Sequence, residues 1–301
     1  MATQTQIQDK FFTSIIDMLD EVNAQDWEMY IKDFKMPQNG FSQAFYNGEN
    51  AISLYLNMIV RKRKTNLFAT FNAISKAGGK LKKGSKSSLI QYGNFIYTHK
   101  ETGKKISADQ FKQIPESERS NYKKYYFLRS YNVFNFDDIE NREELNMEIK
   151  EEDSLEDFQE LKQAENFIIT LIKKGNLKVY ECMTRSASYN KVLDKVKMPL
   201  KKQFVNETAY YSTLFHELTH WTMHPTRLNR TLSYSSEELV AEIGSMLLCL
   251  QFGIHEEFIN SVRYLKSWSA TFTNKDERAE ELKKAFSDAK KSKKYMESFL
   301  N

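Results

Sequence analysis

The chain has 301 residues, 41% hydrophobic and 28% charged, with a net charge of +4; this fits a soluble globular protein with room for two cores and excludes disordered and collagen-like classes. Its longest uninterrupted apolar stretch, Met246 to Leu250, falls far short of the roughly 20 residues a membrane-spanning helix needs. The opening MATQTQIQDKFF lacks a basic flank before an apolar run, so a cytoplasmic protein with no membrane partner is expected. Two isolated cysteines, Cys182 and Cys249, give neither a disulfide framework nor a metal knuckle.

Charge is unevenly spread. Residues 1–136 carry 20 Lys and Arg against 12 Asp and Glu, residues 137–165 carry 3 against 13, and residues 166–301 carry 21 against 15. An acidic block thus separates two basic segments, which suggests a polyanion-binding module joined to something else.

Phe11, Phe12, Ile15, Ile16, Leu19 and Val22 recur at helical spacing and predict an amphipathic helix. Residues 49–60 repeat the pattern. FATFNAISKAGG predicts a helix closed by Gly78 and Gly79. SLIQYGNFIYTH and YYFLRSYNVFNF then read as strands flanking an ETGKK turn, so residues 40–136 form helices on a small antiparallel sheet. The acidic block, free of Gly and Pro, reads as a charged helix. Beyond it, FIITLIKKG predicts a helix ending at Gly175, LKVYECM a strand, and SASYNKVLDKVKMP a strand or loop. A helix capped by Asn206 and stopped by Pro225 follows, then one opening at Ser235, then a helical tail with a Lys-rich solvated face at 283–294.

One motif carries strong chemical information. HELTH, residues 216–220, lies in a helix pattern that projects His216 and His220 from one face, as two imidazoles must to share a metal. Glu217 sits about 100° around, placed to take a proton from a metal-activated water. A third ligand is required. His224 lies about 12 Å of rise from His216 on a continuous helix, too far for one ion, and reads as a C-terminal helix histidine. Glu238 and Glu242, one turn apart in SSEELVAEIG, are the better candidates, one as ligand and the other bonded to the outer nitrogen of a ligating histidine. Against Glu238 stands a competing use: Ser235 and Glu238 have capping-box spacing.

In the first half, Lys80, Lys82, Lys83 and Lys86 follow a Gly-Gly turn and precede a strand bearing Tyr92 and Phe95, and Arg61, Lys62, Arg63 and Lys64 extend the patch. Cations beside aromatics suit single-stranded DNA, phosphates on the lysines and bases on the rings; the same rings could equally be sheet core. A nucleotide-binding phosphate loop is excluded, because Ser85 stands where the lysine after Gly84 is required.

The chain resembles ArdC-type antirestriction proteins of mobile genetic elements. The resemblance rests on SASYNKVLDKVKMP, YYSTLFHELTHWTMHPTRLNR and EELVAEIG in the second half, and on YNGENAISLYL, ATFNAISKAGGKLKKGSKSSLIQY and SYNVFNFDDIEN in the first. It implies an α+β protein of two domains: a single-stranded-DNA-binding domain over 1–140, an acidic helical connector over 141–165, and a mainly helical zincin-like metallopeptidase domain over 166–301. It further implies Zn2+ on His216, His220 and Glu238, with Glu242 as the supporting or alternative ligand and Glu217 as the catalytic carboxylate. Tyr234 or Tyr211 is the candidate oxyanion donor. Expected partners are single-stranded DNA, with duplex DNA not separated from it, and a protein substrate. Two alternatives stay open: a metalloprotease with no DNA role, and a DNA-binding module with a silent zincin domain.

Overall fold

A computed structural model describes residues 3–22, 36–145, 157–254 and 258–300. Helix α1 (Gln4–Glu21) is capped by Thr3, whose hydroxyl accepts from the Gln6 amide while the Gln6 side chain accepts from Thr3 N–H. It buries the stripe read from the sequence. Helix α2 (Gly48–Val60) is buried all round instead: every residue from Ala51 to Ile59 is buried, Ser53 and Asn57 included, because α1 and the sheet both pack on it. FATFNAISKAGG divides, contrary to the single helix expected. Leu67–Thr70 is strand β2, then Thr70 caps α3 (Phe71–Lys76) by accepting from Ala73 N–H, and Gly78 adopts φ 83° just after its end.

Strands β1 (Gln38–Asn39), β3 (Ser88–His99), β4 (Lys105–Ser107) and β5 (Tyr122–Asn135) join β2 in a sheet of order β1-β2-β5-β3-β4. β3 and β5 pair antiparallel along the whole of β3, from Ser88 opposite Val133 to His99 opposite Tyr122. The ETGKK turn leads into β4, and two short helices, α4 (Ala108–Lys112) and α5 (Glu116–Arg119), separate β4 from β5. The acidic block does not begin as a helix. Its first acids fold back, Asp138 onto Arg63 and Asp137 onto Lys64 N–H, which holds residues 136–144 in two short 3-10 turns. Residues 146–156 of the expected connector lie outside the described residues, and 157–165 already belong to helix α6 (Asp157–Lys174).

The second half opens with a three-stranded sheet of β6 (Val179–Cys182), β7 (Ser188–Asn190) and β8 (Lys195–Pro199), ordered β6-β8-β7 with β7 at one edge. Helices α7 (Glu207–Trp221), α8 (Tyr234–Gln251), α9 (Phe258–Ser269) and α10 (Lys275–Glu297) follow. Asn206 caps α7 as read from the sequence. The helix stops at Trp221, four residues before Pro225. α8 is capped by Ser233 through Ser236 N–H, so the expected Ser235 to Glu238 box does not form and Glu238 is free to face α7.

The main hydrophobic cluster draws on both halves: Phe11, Leu54 and Phe68 share it with Leu239, Val262 and Phe286. A second surrounds α6, the small sheet and α7. Lys284, Lys290, Lys291 and Lys294 of α10 are exposed, as expected of a solvated face, and two of its lysines also reach acids on other helices: Lys283 Nζ binds Asp9 at 2.9 Å and Lys290 Nζ binds Glu49 at 2.5 Å. Cys182 and Cys249 form no disulfide. No helix of the described residues is long and apolar enough to cross a membrane.

Candidate functional site

α7 and α8 cross closely enough to share a site because Gly244 has no side chain. A Cβ there would lie 2.4 Å from Thr219 Oγ1 and 2.5 Å from its Cγ2. Across this contact the helical period brings His216 and His220 to one face of α7, with their Nε2 atoms 3.2 Å apart. Glu238 reaches over from α8, with Oε2 3.4 Å from His216 Nε2 and Oε1 3.7 Å from His220 Nε2. For metal-to-ligand bonds of roughly 2.0–2.2 Å, tetrahedral geometry puts ligand atoms about 3.3–3.6 Å apart, so the three donors fit one ion with a fourth position left for water or substrate. Among the described residues this is the one group of three or more His, Cys, Asp or Glu donors so arranged.

The outer imidazole nitrogens are also held. His216 Nδ1 meets Glu242 Oε2 at 3.2 Å, and His220 Nδ1 meets Glu237 Oε1 at 3.2 Å. These contacts direct both Nε2 atoms towards the metal position. Burial disfavours the charged form of His216, yet hydrogen bonds with Glu238 and Glu242 outweigh it and push the pKa up to about 10. A metal entering this site therefore displaces a proton. Burial raises Glu238, but the bond with His216 and the histidine charges bring it below the usual carboxylate range; Glu237 is lowered against burial chiefly by Arg230.

Glu217 stands beside the donors without joining them. It is buried, and burial raises its pKa against the lowering charges of His216 and His220 and a hydrogen bond from the Tyr189 backbone of edge strand β7. That combination suits a proton acceptor. Tyr234 is 71% exposed, and its hydroxyl donates to Glu238, whose charge raises the phenol. Tyr211 is not brought to the site: its hydroxyl donates to Glu165 at 2.6 Å and its ring packs in the second core. His224 lies past the end of α7, bonded through Nδ1 to Thr226 Oγ1 at 2.8 Å. Glu237, Arg230 and Tyr189 escaped the sequence reading. The Glu-Glu doublet was the one available hint.

The basic segment divides into structural and open cations. Arg63 forms a two-bond pair with Asp138 at 2.7 Å for each bond, and Lys82 Nζ binds the Asp137 carbonyl at 2.7 Å. Arg61, Lys83 and Lys86 line a cavity of about 470 Å³ and have no acid partner among the described residues. Lys62, Lys64 and Lys80 are exposed around it.

Tyr92 and Phe95 do not share a surface, since a strand alternates its faces and three residues reverse the direction. Phe95 lies on the face that holds buried Gln91 and Leu128 against α1, and Lys124 covers its ring at 3.7 Å. Tyr92, 48% exposed, lies on the opposite face, where the register sets it beside Arg129, Phe127 beside Asn94, and 47%-exposed Tyr125 beside Ile96. Arg129 sits 5.5 Å over Phe127, and Lys123 5.2 Å over Tyr125. This face combines rings and cations with no acid among its β3 and β5 residues.

Residues 163–285 match the family model for zincin-like metallopeptidases, and residues 5–134 match that for the N-terminal domain of the anti-restriction factor ArdC. Two Escherichia coli proteins named DNA primase TraC are similar, at 29% identity over 287 residues and 27% over 283, each match covering 91% of this chain. The chain spans only 25% and 18% of their lengths. The crystal structure of the ArdC antirestriction protein of plasmid R388 has the same fold, at 23% identity. Its metal-free form gives a TM-score of 0.54 over 95% of this chain and 98% of that one, and its Mn(II)-bound form gives 0.57 over 98% of each. A zincin-like domain implies a metal ion. With the two family models arranged in ArdC order over most of its length, the chain belongs to the ArdC-type antirestriction proteins, an ArdC N-terminal domain followed by a zincin-like metallopeptidase domain.

Proposed function

We propose that this chain binds single-stranded DNA through its N-terminal half and hydrolyses peptide bonds at a zinc held by His216, His220 and Glu238, in protecting incoming mobile-element DNA from restriction in the cytoplasm. The observation that carries the reading is the tetrahedral spacing of three donors beside a buried Glu217. Zinc at such a position lowers the pKa of its water to about 7 and polarises a carbonyl.

Glu217, made more basic by burial, takes the proton of the attacking water and returns it to the leaving amine, while Tyr189 N–H keeps its carboxylate oriented. Glu242 and Glu237 fix the imidazoles. Tyr234, freed from Glu238, donates to the carbonyl oxygen as it gains charge. On the DNA side, bases stack on Tyr92, Phe127 and Tyr125, and phosphates follow Arg129, Lys123 and the cavity of Arg61, Lys83 and Lys86. Arg63, paired with Asp138, acts as a structural cation, and Lys82, exposed, is tied by one bond to the Asp137 carbonyl.

The test joins metal analysis of wild type and His216→Ala after zinc supplementation with single- and double-strand binding isotherms at two salt concentrations. Stoichiometric zinc in wild type alone, and single-strand affinity that falls with salt, are expected. A metal-free wild type overturns the site. A flat salt response overturns the DNA reading, since counterion release requires a slope.

A further inference from the structure

A cavity of about 550 Å³ lies between the second half of α1, the end of α2 and the first residues of β3. Several of its polar side chains are unengaged. Asn57 and Ser88 are buried, and neither Asn57 Oδ1 nor Ser88 Oγ has a hydrogen-bond partner among the described residues. Arg61, the residue that closes α2, lines the same cavity with its Nε buried and unpartnered. Two acids of α1 in the lining, Asp17 and Asp20, are held by Lys275 and Arg278. A third, the exposed Glu21, has no cation partner among the described residues. Met18 and Leu89 supply apolar wall.

Arg61 also lines the basic cavity of Lys83 and Lys86. A cation-lined space and one holding a free carboxylate and a buried amide therefore adjoin at a single guanidinium. A nucleotide divides its charge in the same way, with an anionic phosphate on one side and, on the other, a neutral base of apolar faces and polar edges. The open groups also choose the base. A carboxylate only accepts, through two oxygens, and among the four DNA bases guanine alone sets two donors side by side on one edge, N1–H and the N2 amino group. Its O6 and N7 accept from a guanidinium or an amide such as those of Arg61 and Asn57. A base without that pattern would take these groups out of water and leave them unpaired.

We infer that this cavity is a base pocket for guanine, with the phosphate of the same nucleotide of the bound strand in the adjoining basic cavity. The inference rests on the single-strand reading and adds a sequence preference to it. Stacking on Tyr92 and Tyr125 accepts any base, since every base has a flat face; Glu21 and Asn57 are the specificity-determining residues, and Arg61 joins the base site to the phosphate site.

The full chain is titrated by fluorescence anisotropy with a labelled thymine-only strand and with the same strand carrying one central guanine, inosine, adenine or cytosine. One guanine is expected to tighten binding at least about fivefold over thymine alone. Inosine, which lacks the N2 amino group, should lose most of that gain, and Glu21→Gln, a change at an exposed position, should lose the guanine preference. In parallel, dGMP and dTMP are titrated into the full chain by calorimetry. Equal affinity for the guanine and thymine strands, or a guanine preference that Glu21→Gln leaves intact, overturns the pocket. Binding of dGMP as tight as that of the guanine strand overturns the strand as the source of the base. If no strand binds, the single-strand reading falls and the free nucleotides still decide the pocket: dGMP bound over dTMP upholds it, and no difference between them overturns it.

Discussion

Arg230 grips Glu237 with two hydrogen bonds, Nε to Oε2 at 2.7 Å and an Nη to Oε1 at 2.6 Å, both side chains buried. The same guanidinium reaches Ser292 Oγ on α10 at 2.9 Å, so the histidine that Glu237 holds is braced from the far side of the fold. Arg230→Met leaves Glu237 buried without its cation. It is expected to weaken zinc binding by about 10- to 100-fold and to destabilise the metal-free protein by about 3–5 kcal/mol. Chelator competition and chemical unfolding read the two effects separately.

Glu217→Gln keeps the shape of the side chain and an oxygen for Tyr189 N–H, but cannot take a proton. Peptide hydrolysis should fall by about 10²- to 10⁴-fold while zinc stoichiometry stays that of wild type. Equal turnover by this variant would remove Glu217 from its role.

Gly244→Ala places a methyl against Thr219, which is fully buried. The two helices must part, at a cost of about 1–3 kcal/mol. Since that contact sets the distance from Glu238 to the histidines, zinc affinity should fall with stability, and Thr219→Ser, by removing the opposing methyl, should restore part of both.

On the DNA face, Tyr92→Ala and Tyr125→Ala should each weaken single-strand binding by about 1–3 kcal/mol, and Phe95→Ala, under Lys124 on the other face, by less. Replacing Lys83 or Lys86 by Ala should lower the salt slope by about 0.7 each. Lys82→Ala should not. Fluorescence anisotropy over a salt series checks all six.

Asp194 binds Arg227, which also lies 4.3 Å over the Trp221 ring, and these bonds hold the carboxyl below the usual range against partial burial. A depressed carboxylate stabilises the fold above its unfolded pKa of about 3.9 and loses that contribution as pH falls through the folded value. Asp194→Asn should therefore be less stable than wild type near neutral pH, and the difference should shrink on acidification below pH ~4. Urea midpoints across that range measure it.

What the sequence displayed at the site was periodicity. His216 and His220 sit on one regular helix and Glu238 and Glu242 on another, so spacing put each pair on one face of its helix, while the packing of α7 on α8 turns the two faces together. Arg230 could not be found that way: it lies in an irregular stretch between helices, and tertiary packing alone brings it to Glu237. The pairing of Arg63 with Asp138 spans 75 residues and is equally invisible to local pattern. Tyr92 and Phe95 were grouped by composition when the two-residue period of a strand already assigned them to opposite faces.

The bond between Asp9 and Lys283 joins positions 274 apart, and the apolar faces of α1 and α10 meet around it. On a ribosome, α1 emerges well before its closing partner. Until then Phe11, Phe12 and Ile16 lack the surface that finally covers them, a long-range closure of the kind that slows folding and exposes aggregation-prone chain. The acidic residues flanking that stripe keep the waiting helix soluble until α10 arrives, and then become its ion-pair partners.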